Sequence, residues 1–339
     1  MGFVSQSGHI GIKTQTAKGA YLDPGAASPN DGVFAFIRSG ALGGNRELMI
    51  PDPEIGGSRD VPDAQLGPIS YSGEFDMYAR MEVLATLANA ALGAHTTAGA
   101  AGTGFTHTIT PAASVPWLSI EEKIANDYET FNYTDAKVNT FHMEADANGY
   151  LMCTAGLTAL TQTLGAATLP AAQRNDTSPL IVGTNIEVRW GGVALPAKSF
   201  AFDVNNNIED DDFRLGSLFL GDLVEKRREV TMSVTIRPED EALWKTAMWG
   251  GPAAVAPLGQ SFKDDVQIEI SSYEDIPGAT LGTKYNSIIT IPQAILSPFS
   301  IDPSGDDVLE HDIEIRAVRP DPSVDILSFA VKNSYATVA

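Results

Sequence analysis

The chain has 339 residues, 43% of them apolar, enough for one large folded domain or two of ordinary size and too many for a disordered tail. Its 43 acidic and 22 basic residues leave a net charge of −21, a surface that repels phosphate and argues against a stable nucleic-acid or anionic-membrane binder. Charged residues make up only 19%, which suits extensive burial between subunits and equally suits a β-rich chain full of Ser, Thr and Asn. The single Cys153 excludes an internal disulfide framework, a Cys-rich zinc site and a C-x-x-C redox pair. With no basic and apolar leader at its start and no apolar run near the ~18 residues of a membrane span, the protein is expected to be made in a cytoplasm and to stay soluble there until assembled.

In chain order, residues 1–32 read as an N-terminal arm, rich in Gly, Ser, Thr and Ala, with turn signals at Asp23-Pro24-Gly25 and Ser28 to Gly32. Val33 to Ile37 reads as a buried strand. Arg38 to Pro68, crowded with Gly, Pro, Asp and Glu, reads as one long loop of the kind that carries function. Ile69 to Asp76 alternates as a strand. Met77, Met81, Leu84, Ala88 and Ala91 fall at helical spacing, and Gly93 is placed to stop that helix. Ala94 to Gly104 reads as a flexible Gly/Ala/Thr loop. Trp117 to Lys123 and Lys137 to Leu160 read as strands around turns at Asn126-Asp127 and Asn148-Gly149, the second a strong hairpin signal. Residues 166–179 read as a linker, rich in Ala, Pro, Asn and Asp.

Beyond the linker the same order returns. Phe34-Ala35-Phe36 matches Phe200-Ala201-Phe202, and Arg80-Met81-Glu82, opening the first helix, matches Arg237-Pro238-Glu239. Gly93 matches Gly250, and the turn at Gly149 matches one at Gly305. These pairs lie 156 to 166 residues apart, so one deletion after the Phe-Ala-Phe strand aligns them. The expectation is two tandem β domains, residues 33–165 and 180–320, each with one flanking helix, followed by a C-terminal arm at 321–339.

Phe200 to Glu209 (FAFDVNNNIE), Leu215-Gly216-Ser217, Asp222-Leu223 and Arg228 to Ile236 (REVTMSVTI) resemble the core of siphophage major tail tube proteins. The opening through Leu92, including Gln15 to Tyr21 (QTAKGAY) and Asp31 to Phe34 (DGVF), resembles tail tube proteins of actinobacterial phages. The resemblance implies a mostly β fold with short helices, each domain a β-sandwich or partial barrel, and rings of six such domains around a lumen. It also implies a virion protein made in the host bacterial cytoplasm, with the tape measure, tail terminator and distal tail proteins as partners. Two copies of the domain per chain would make the ring a trimer with pseudo-six-fold symmetry. A hexamer with one domain outside is the rival arrangement.

A search for chemistry finds no catalytic motif. There is no G-x-S-x-G elbow, Walker lysine or H-E-x-x-H, and His9, His95, His107, His142 and His311 are scattered, with His95 and His107 flanking one loop. Asp203, Asn205 and Asn207 match three positions of a calcium loop, but Ile208 stands at its glycine and Arg214 at its glutamate, so the segment reads as an acidic turn. No cofactor or metal is expected.

The site expectations are therefore surfaces. Glu209, Asp210, Asp211, Asp212 and Asp222, with Glu47, Asp52, Glu54 and Asp60, are the candidates to line the lumen, repelling passing DNA so that it is never stably bound. Leu48, Met49 and Ile50 form an apolar trio suited to ring stacking. Val4, Ile10, Ile12, Ile326, Leu327, Phe329 and Val331 sit in arms that are expected to add to neighbouring subunits. A decoration protein or adhesin shares all but the strand order, and a β-rich hydrolase or carbohydrate-binding module shares only the fold class.

Overall fold

The computed structural model describes residues 8–26, 32–57, 60–61, 63–125, 128–165, 176–301 and 308–338. The first half contains β1 (His9–Thr14), β2 (Val33–Ala35), β3 (Ser39–Met49), β4 (Gln65–Tyr78), α1 (Met81–Leu92), β5 (Gly93–Ala100), β6 (Gly104–Pro111), β7 (Leu118–Lys123), β8 (Thr130–Asp146) and β9 (Met152–Gly165). The second contains β10 (Ile186–Trp190), β11 (Val193–Ala194), β12 (Ala197–Asn205), β13 (Glu229–Ile236), α2 (Ala242–Trp249), β14 (Asp264–Asp275), β15 (Lys284–Leu296), β16 (His311–Ala317) and β17 (Ser328–Asn333). Antiparallel ladders join the seventeen strands of the described residues into one sheet.

The strands with clean alternation need no further explanation. In β13, Val230, Met232, Val234 and Ile236 are buried while Glu229 and Ser233 face outward, the period of two that a half-buried strand demands. The helices end where glycine permits. Gly93 closes α1 at φ 103° and Gly250 closes α2 at φ 80°, left-handed conformations that penalise any side chain. A Cβ on Gly93 would also sit 2.7 Å from the Ser114 carbonyl oxygen.

All twelve residues of α1 are buried, so this helix is part of the core. Its first turn has no side-chain cap from Arg80. The segment entering the second half supplies one: Asp176 Oδ2 accepts from the Val83 N–H at 2.8 Å, and Ser178 Oγ from the Met81 N–H at 2.9 Å. Asn206 and Arg228, also from the second half, donate to the carbonyls of Ala91 and Leu92 at its other end. One cluster of buried residues runs through both halves.

The ladders repeat. In the first half β1 pairs with β2 and β7, β3 with β4, β4 with β9, and β8 with β7 and β9. In the second, β10 pairs with β11 and β14, β12 with β13, β13 with β16, and β15 with β14 and β16. Seven strands of each half pair in the same order, with α1 and α2 following β4 and β13; β5, β6 and β17 have no counterpart among the described strands. Two further ladders join the halves: β12 pairs with the C-terminal end of β8, and the β5–β6 hairpin pairs through β6 with β17.

Several expectations are corrected. The long loop from Arg38 is largely a hairpin, because β3 pairs with β4 from Ser39 to Met49 and only residues 50–64 connect them. Ala94 to Gly104 is likewise paired, as β5 against β6. The pairing order aligns Phe200-Ala201-Phe202 on β12 with β3, not with Phe34 and Ala35 of β2. The second helix starts at Ala242, so Pro238 precedes it instead of opening it. The turns at Asn126-Asp127 and Gly305 lie outside the described residues, as does linker segment 166–175.

Candidate functional site

Two long connections occupy equivalent places in the repeated order: the β3–β4 hairpin and the β12–β13 connection, residues 206–228. They meet. The Ile69 N–H donates to the Leu218 carbonyl at 2.9 Å, and Ile69 bridges Phe219 in parallel. The 206–228 segment is anchored by Ile208, Leu220 and Leu223, which pack with Val115 and Leu160 of the first half beside Trp117. A partly buried ion pair reinforces the anchor. Lys137 Nζ, its side chain 3% exposed, donates to Glu225 Oε1 at 2.7 Å and lies 4.0 Å from the Trp117 ring centroid. Glu225 also accepts from the Val115 N–H and the Ser114 hydroxyl. Burial pushes the Glu225 carboxyl upward, but Lys137 and these donors hold it below the usual value.

The result is a platform of exposed side chains. From the hairpin come Leu48, Met49 and Ile50, each more than half exposed, as are Ile55 and Leu66. From the connection come Phe213, Leu215 and Leu218. Leu48 and Met49 lie on β3 opposite Leu66 and Gln65, and Ile50 follows the strand.

The acids predicted to line a lumen share this platform but not one environment. Glu209 lies 3.0 Å from Lys226, Asp212 2.6 Å from Arg214, and Asp222 2.8 Å from Lys18. The Lys18 hydrogen bond lowers the Asp222 pKa. Asp210 and Asp211 are exposed on the connection, and Glu47, Asp52, Glu54 and Asp60 on the hairpin. The pairings of Asp222 and Glu225 were missed in the sequence because their cations lie 204 and 88 residues away.

The arm residues are placed differently from the expectation. Ile10 and Ile12 lie in β1 between β2 and β7, at most 1% exposed. Leu327, Phe329 and Val331 are 0% exposed, the last two in β17 between β15 and β6. Ile326 packs against the same core, and Val4 lies outside the described residues. Five of these side chains therefore complete their own chain's core, because strands too apolar to fold alone find ladders within it.

The scattered polar groups are likewise absorbed by the fold. Asp203 and Asn205 are on β12; Asp203 accepts from His142 Nδ1 at 2.6 Å, and Asn205 Oδ1 accepts from the Asn207 N–H, closing a turn where Asn207 takes φ 48°. That geometry is a strand end, not a calcium loop. His95 and His107 sit out of register on β5 and β6, His95 beside Asn89 and His107 beside Thr97. Among the described residues no three His, Cys, Asp or Glu side chains converge as metal ligands would, and no helix is long and apolar enough to cross a membrane.

What the geometry offers is a broad, mixed apolar and acidic face and long sheet edges, the equipment of a subunit that packs against others. No curated protein matches the chain. One family profile does, over residues 5–316, and its description is phage tail tube protein.

Proposed function

This chain belongs to the phage tail tube protein family, and from that premise we propose how it builds a tube. Membership makes it a structural, non-enzymatic subunit of the virion tail that assembles with copies of itself. In our reading, the halves are two copies of one tube domain occupying adjacent positions in a ring. Three chains then close a ring of six domains, and rings stack into a long tube through which DNA passes.

The observation that carries this reading is the repeated strand order, with the halves joined by continuous ladders and a shared core. A domain held outside the ring would be joined by a tether; β12 on β8 is instead the kind of strand-to-strand contact that neighbouring ring positions require. Acids exposed on the hairpin and the 206–228 connection, Asp210 and Asp211 foremost, would face the lumen and keep phosphate from adhering. Leu48, Met49 and Ile50 would meet the next ring. The tape measure protein within the tube, and the terminator and distal tail proteins at its ends, are the further partners proposed.

Electron microscopy of the purified protein tests the reading. Tubes or stacked rings about a central channel are expected. Dispersed monomers at high concentration would contradict it and favour a decoration protein or a binding module.

A further inference from the structure

The repeat makes the junction between the halves a pattern for a junction between copies, and the structure leaves the matching surfaces open. α1 is wholly buried, packed on β8, β6, β5 and β2 of its own half and finished by β17 and β15 of the second, from which further bonds reach it: Asn333 donates to the Met81 carbonyl, the Ser334 hydroxyl to Glu82, and Asn206 to the Ala91 carbonyl. α2, at the equivalent place, is not covered in this way. Trp244, Ala247 and Trp249 are only partly buried, Met248 is 43% exposed, and Thr246 alone is buried. A helix with two tryptophans packed edge to face at 5.1 Å and a methionine beside them in solvent is an unfinished interface.

The strands repeat the asymmetry. β8 carries β9 along one edge, and on the other carries β7 at residues 130–136 and β12 at 140–146. β15 carries β14 on one edge, and on the other β17 and β16. Beyond Ala294, however, no strand among the described residues takes the place that β12 takes on β8. In the first half the counterpart of β12 is β3. β3 pairs with β4 alone among the described strands; Glu122 and Tyr133 bond its Leu42 backbone, its other residues are exposed, and Leu164 near the end of β9 is 66% exposed. A strand edge without a second partner strand is a hazard unless the assembly covers it.

Resting on the tube reading, we infer that α2 and the segment Ile295 to Ser300 of one copy dock on the first half of a second copy, at the β3 edge and the end of β9. The contact is head to tail, so it repeats around a ring and closes it. It covers α2 as the second half completes the cover of α1.

A photoreactive p-benzoylphenylalanine in place of Met248 tests this in assembled particles. Irradiation is expected to give a two-chain product whose cross-linked peptide contains residues 39–45, 70–76 or 161–165 of the other copy. Tubes that form without such a product, or with α2 joined to α2, overturn the docking and leave the tube reading standing; failure of the unmodified protein to form tubes or rings overturns that reading instead. A second variant, Met248→Asp, is expected to stay unassembled while melting at the wild-type temperature. Normal tubes from it would also overturn the inference.

Discussion

Glu122 shows how a single residue ties stability to pH. It is 2% exposed, and its carboxyl bonds to the Tyr133 hydroxyl at 3.1 Å and the Leu42 N–H at 3.3 Å. Burial raises its pKa from 4.5 to about 6, against those two hydrogen bonds. Because the folded value lies above the unfolded one, the stability it contributes is full below pH 4.5 and is lost as pH rises through about 6. The loss is about 2 kcal/mol. His142, raised chiefly by its hydrogen bond to Asp203, acts in the same sense at higher pH. Unassembled Glu122→Gln protein is therefore expected to lose the fall in melting temperature between pH 4.5 and 6 and to retain the part due to His142; an unchanged profile would contradict the assignment. At Glu225 the consequence is larger. Glu225→Ala leaves Lys137 buried without its carboxylate and should cost about 3–5 kcal/mol by denaturant melting. Lys137→Met with Glu225→Gln should recover most of that, since neither charge is then buried alone.

At the scale of elements, the hairpin and the C-terminal strand carry the clearest tests. Replacing Leu48, Met49 and Ile50 with Ser should change stability little, because each is more than half exposed, while single rings accumulate in place of long tubes under the microscope. Unchanged tube length would remove the stacking role. Deleting residues 321–339 is now expected to do more than shorten tubes: it removes Leu327, Phe329 and Val331 from the core and leaves β15 and β6 without their shared partner, so the chain should be insoluble or melt far lower. These elements also show what a sequence carries. The β8–β9 hairpin was legible from its Asn-Gly turn between alternating strands, and α1 from its apolar spacing and Gly93. β3 and β5 were not, because Ser39-Gly-Ala-Leu-Gly-Gly and Gly93-Ala-His-Thr-Thr-Ala have no apolar period. Such strands exist because a partner strand pairs with them, which is information from elsewhere in the chain. The arms were misjudged for the same reason. β1 and β17 are short and apolar, and nothing local reveals that their partners lie within the same molecule.

For the whole molecule, the proposed repeat rests on an order of strand, loop, strand, helix and glycine stop, and the ladders set its Phe-Ala-Phe anchor one strand away from the alignment read in the sequence. The acidic lumen is an electrostatic proposal with its own assay. Replacing Asp210, Asp211, Asp52 and Glu54 with Lys should leave tubes intact but slow DNA ejection, more at low salt where screening is weakest; ejection at the wild-type rate would show that the acidity serves only solubility. The central claim, that one chain supplies two adjacent positions in the ring, is tested most directly by a cryo-electron-microscopy reconstruction of the tube. The account predicts three chains per ring, with β3–β4–α1 and β12–β13–α2 alternating at six equivalent positions around the channel. Six chains per ring, with either half outside the inner wall, would contradict it.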